Sequence, residues 1–81
     1  MAAIGGHMRA QNYDKVARQV LIDNGVDEAQ ADGIVAANFD AIRAAALRAV
    51  ADNPATQVGV LRAAAAAHAQ LTQWVVDNLV P

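Results

Sequence analysis

Apolar residues recur along this chain at the three- and four-residue steps of an α-helix, in three blocks. In the first, Tyr13, Val16, Ala17, Val20 and Leu21 occupy i, i+3, i+4, i+7 and i+8, a core-facing stripe that predicts a helix over about 12–24. In the second, Val35, Phe39, Ile42, Ala46 and Ala49 or Val50 step by four, three, four and three, predicting a helix over 27–52. In the third, Leu61, Ala64, His68, Leu71, Val75 and Asn78 or Leu79 mark one face of a helix over 54–80. That face carries a histidine at its centre and small alanines beside it, which suits the seam of a helix pair.

The residues between the blocks punctuate them. Asn24-Gly25 stops the first helix, because glycine accepts the left-handed conformation of a C-cap, and Val26 can fold back on the last turn. Asp27, with Gln30 three residues on, resembles a capping box, and Glu28 and Asp32 suit the positive end of the helix dipole. Gly33 weakens the second helix slightly and permits close approach of another helix. At Asp52-Asn53-Pro54 the residue before proline is pushed out of the α region, and Asn53 with Pro54 suits a fresh helix start. On outer faces, Asp14 with Arg18 and Asp40 with Arg43 form expected ion pairs.

A short break between two long helices implies an antiparallel hairpin. The expected fold is all-α: a short helix, then a long helical hairpin, with two copies paired into a dimeric helical bundle. The third helix would run about 40 Å, and the first, at about half that length, cannot cover both hairpin arms. Trp74, Val76 and Val58 fall off the main seam, with Leu61 and Leu79 at its edge. The interface candidates are therefore Val35, Phe39, Ile42, Leu61, His68, Leu71, Trp74, Val75 and Leu79.

Composition sharpens the expectation of a partner. Eighty-one residues make one small domain at the size where a lone core is marginal, and such chains add disulfides, metals or another chain. Cysteine is absent and the two histidines have no zinc spacing, which leaves a second chain. Alanine fills 21 positions and buries little area per residue, so close backbone packing must replace bulk. Met1–His7 is small and patternless, and Gly5-Gly6-His7-Met8 reads as a cloning scar ahead of a natural start at Met8, leaving 8–81 as a single helical domain.

The net charge of −2 argues against an electrostatic grip on nucleic acid or an anionic membrane. The longest uncharged stretch, Ala63–Val76, is too short and polar to span a bilayer, and no secretory signal is evident, so a cytoplasmic protein is expected.

Candidate chemistry is sparse. His68 reads either as a packed, hydrogen-bonded histidine or, if burial opposes its charge, as a pH switch. Trp74 reads as a core or seam filler or as a partner anchor. Arg43, Arg48 and Arg62 read as solvated faces or as a small cationic patch. Asp27, Glu28 and Asp32 are accounted for by capping and dipole effects. No glycine-rich phosphate loop and no serine is present, and neither Thr56 nor Thr72 has a base in view. Hence no catalytic, cofactor-binding or metal residues are assigned, and an enzyme is not expected.

The run from Leu21 through Gly25, Asp27, Gln30 and Asp32 to Val35 is similar to two known helix corners. One is the first turn of ubiquitin-associated domains; the other is the head of coiled-coil mitochondrial calcium-uniporter regulators and their bacterial relatives. The second resemblance implies a following stalk and membrane anchor, the first a short third helix. The chain continues as neither, and any tight corner needs the same glycine cap and capping box, so no family is assigned.

The function expected is a self-associating assembly, adaptor or docking module with a homodimer and possibly another protein as partner, and with bacterial or phage-like residue usage. The alternatives are a DNA-binding regulator using the Gly25 corner as a helix-turn-helix, opposed by the acidic start of its second helix, and a small ligand-binding protein with a pocket around His68, Phe39 and Trp74.

Overall fold

The computed structural model describes residues 10–81, the first two by backbone alone; the stretch Gly5–Met8 expected to be a cloning scar, His7 included, lies outside the described residues. The chain is all-helical there, in five segments: α1 Ala10–Asp23, α2 Glu28–Ala37, α3 Phe39–Asp52, α4 Ala55–Val58 and α5 Val60–Leu79.

Helix α1 forms on its apolar stripe. Tyr13, Ala17, Val20 and Leu21 are buried, and Val16 packs beside them. It ends in a paired-bond glycine cap: the Val26 N–H donates to Leu21 O at 3.0 Å and the Gly25 N–H to Ile22 O at 3.0 Å. Gly25 sits at φ +92°, and the cap folds Val26 into the core. Asp27 then caps α2, its Oδ1 accepting from the Gln30 N–H at 2.9 Å.

The helix expected over 27–52 breaks at Asn38, which sits at φ −121°, ψ 21°. Its side-chain Nδ2 donates to Ile34 O at 2.8 Å, giving that carbonyl a partner outside the helical ladder. Ala31 of α2 and Ile42 of α3 are both buried in the core. Gly33 makes no close approach: a Cβ placed there would meet nothing within 4 Å.

The helix expected over 54–80 is also interrupted. Pro54 is the cap of the four-residue α4, and Gly59, at φ +90° and ψ 159°, separates α4 from α5. That backbone region is almost exclusive to glycine. Asn53 does not cap forward. Its Nδ2 donates back to Ala49 O at 2.8 Å and across to Gln70 Oε1 at 3.0 Å.

Helices α3 and α5 run antiparallel. Gln70 reaches Asp52 and Asn53 at the end of α3, while Trp74, one turn later, shares a groove with Ala41 and Ala45. Helix α1 packs against α2, α3 and α5. Between α3 and α5 the contact is built from small residues: Ala46 and Ala49 beside Ile42 on α3, and the i, i+4 row Ala63, Ala67, Leu71, Val75 on α5. Among the described residues, only Leu21, Ile42, Leu71 and Val75 are both large and fully buried.

Candidate interaction surfaces

The residues expected on a shared seam have different places. Ile42, Leu71 and Val75 are core. Val35, Trp74 and Leu79 are half-buried and pack against that core, and Phe39 is half-buried. Val76, expected outside, also packs against the core. Leu61 is 86% exposed and His68 is exposed.

The buried row on α5 lies one residue before the expected one, through Ala63 and Ala67 rather than Ala64 and His68. Alanine at 63 and 67 lets the α5 backbone approach α3 closely, and leaves the imidazole in water, where it needs no buried partner. The burial on which the pH-switch reading of His68 depends is absent.

Three separate hollows replace the pocket expected around His68, Phe39 and Trp74. His68 lines a depression of about 620 Å3 with Tyr13, Lys15, Val16, Ala64 and Ala65, between α1 and α5. Trp74 lines a groove of about 380 Å3 with Ala41, Ala44, Ala45, Arg48 and Gln70, between α3 and α5. Phe39 lines a third, of about 370 Å3, around the Asn38 break. On the α5 surface, Ala64 and His68 flank the buried Ala67–Leu71 row on one side, Gln70 and Trp74 on the other. The Trp74 groove is thus on the face of the α3–α5 pair opposite α1.

Polar contacts also rearrange. Arg18 does not pair with Asp14. Its Nε donates to Asp32 at 2.6 Å and its Nη2 to Glu28 at 3.3 Å, tying α1 to α2. Asp14 is left with a buried, unpartnered Oδ1; burial raises its pKa, and the Arg43 charge opposes the rise. Arg43 does not pair with Asp40 but lies over the Phe39 ring, 5.2 Å from its centroid. Arg43 therefore flanks the α1 side of α3 and Arg48 the opposite side, so Arg43, Arg48 and Arg62 are not one patch. Thr72 also holds a buried Oγ1 without a partner.

The start of α2 is acidic, with Asp27, Glu28 and Asp32. The helix after the Gly25 turn is acidic, and Arg18, beside it, is already engaged, which gives a DNA phosphate nothing to bind there. Among the described residues, no group of three or more His, Cys, Asp or Glu side chains could hold a metal, and no helix is long and apolar enough to cross a membrane.

The groove residues Ala41, Ala44, Ala45 and Gln70 escape sequence reasoning because none is conspicuous alone. Their signal is register: Ala41, Ala44, Ala45 and Arg48 share one flank of α3, as Gln70, Trp74 and Asp77 share one flank of α5. Comparison with known proteins adds no family: no family model, curated protein or solved structure matches the chain.

Proposed function

We propose that the chain is a non-catalytic, self-associating helical module for assembly or docking. Two copies pair their α3–α5 units into a four-helix core flanked by the two α1 helices. The observation that carries this reading is the incomplete cover of the α3–α5 pair. Among the described residues, α1 lies on one face only, and its 14 residues, against 20 for α5, do not reach the α4 end. Leu47, Val50, Val58, Val60 and Leu61 are left 40–86% exposed toward that end. An 81-residue chain whose described residues include four large, fully buried side chains gains from covering what remains.

Absolute mass by light scattering across a dilution series tests the reading. A dimer persisting to low micromolar concentration supports it. A monomer at every concentration overturns it.

A further inference from the structure

We infer that the hollow between α1 and α5 binds a single-chain carboxylate, its head held by Lys15 and His68 and its apolar tail laid along Ala64 and Ala65 toward Leu61. The inference goes beyond self-association and does not rest on it. The hollow is on the side of the α3–α5 pair that carries α1, which a four-helix core turns outward.

At about 620 Å3 this is the largest of the three hollows, and its size falls in the range of small-molecule sites. Its floor is already built, because Tyr13 and Leu71 belong to the buried core. The polar side chains on its wall are Asn12, Tyr13, Lys15 and His68, and each of them can donate a hydrogen bond. None is a carboxylate. The hollow around Phe39, by contrast, carries Asp40, and in the Trp74 groove Gln70 is already engaged with Asp52 and Asn53.

Lys15 supplies the charge. It is exposed and has no ion pair among the described residues, and residues 1–9 contain no Asp or Glu that could provide one. Asp14, its neighbour in sequence, is under the influence of Arg43 on α3, away from this hollow. An ammonium beside an imidazole and an amide makes a charge-assisted donor set suited to a carboxylate.

The tail has a path as well. Leu61, Ala64, Ala65 and His68 share one face of α5 at i, i+3, i+4 and i+7. Leu61 is 86% exposed, more than any other large apolar side chain among the described residues. Seven residues of helix place it about 10 Å from His68, a span that an acyl chain of medium length covers. A ligand without a tail leaves Leu61 in water, whereas an amphiphile with its head at His68 removes that apolar surface from solvent.

The test titrates decanoate, below its micelle-forming concentration, into the isotope-labelled chain and follows amide shifts and heats of binding. The Lys15, Ala64, Ala65 and His68 amides should shift. Decanol, with the tail and no charge, and acetate, with the head and no tail, should each bind roughly ten-fold or more weakly than decanoate. Lys15→Glu and Leu61→Asp should each weaken decanoate binding by roughly the same factor. Arg62→Glu, on another face of α5, should leave it nearly unchanged. All three positions are exposed, and circular dichroism checks that the variants stay helical.

Absence of binding at millimolar decanoate overturns the inference. Equal binding of decanol and decanoate overturns the anionic head. Equal losses from Arg62→Glu and Lys15→Glu reduce the effect to general attraction and overturn the site. Light scattering on the same samples reads self-association separately, so the two readings can fail independently.

Discussion

The two ends of the molecule are built on different principles. At the α1–α2 corner, local chemistry fixes the backbone: a glycine cap, an aspartate cap, and an arginine held by two carboxylates. At the α3–α4–α5 end, neither Pro54 nor Gly59 supplies a side-chain cap, and the exposed side chains include Leu47, Val58 and Leu61. The corner is specified by its own few residues and stays polar. The far end is specified by what it packs against and leaves several apolar side chains exposed.

Paired substitutions test the contrast. The largest effect should separate two leucines ten residues apart on α5. Leu71→Ala removes a side chain that is 2% exposed and should cost about 2–5 kcal/mol in urea unfolding. Leu61→Ala, at 86% exposure, should stay within about 0.5 kcal/mol. Comparable losses at both would show that the α4 end is packed after all.

Next are the two positive-φ glycines. Gly25→Ala should cost about 1–2 kcal/mol, because the glycine cap has no alternative geometry. Gly59→Ala demands a rarer conformation still, yet should cost less, since the four-residue α4 can unravel to relieve it. Hydrogen exchange should show α4 amides opening well before those of the corner; equal protection would contradict the comparison. Asp27→Ala should cost about 1 kcal/mol of thermal stability through loss of the cap.

The smallest effect concerns pH. The Asp14 pKa is raised in the folded state, above the ordinary 3.8, chiefly by burial. The folded chain then holds this proton more tightly than the unfolded one, so its contribution is full below the unfolded value and is lost as pH rises through the folded one. Asp14→Asn should remove that part of the pH dependence and raise the melting temperature slightly at neutral pH. A melting curve with unchanged pH slope would show that water reaches the carboxylate.

The same division explains what could be read from the sequence. Helix α1, the Gly25 cap and the Asp27 cap are legible because their signals lie within a few residues of where they act. So are Ile42, Ala46 and Ala49, where a single apolar row dominates α3. The break at Asn38 is harder to see, since alanines on both sides sustain helix propensity. Gly59, between Val58 and Val60, reads as a tolerated helix glycine until its φ is known. On α5 two adjacent rows share Leu71 and Val75, and choosing between Ala67 and His68 depends on how closely α3 approaches. That is a tertiary fact with no local signature. The Trp74 groove is hidden for the same reason, because its parts come from two helices and most of them are alanine.

The small core also shapes how the chain responds to temperature. Unfolding heat capacity follows the apolar area newly exposed to water, and a core of alanines with four large buried side chains exposes little of it. The increment therefore falls toward the low side of the usual 12–15 cal/mol/K per residue, which flattens the curve of stability against temperature. A flat curve places the cold and hot midpoints far apart and makes the thermal transition broad. Warming a single copy melts it gradually, and a second copy on its surface would make that transition sharper and dependent on concentration.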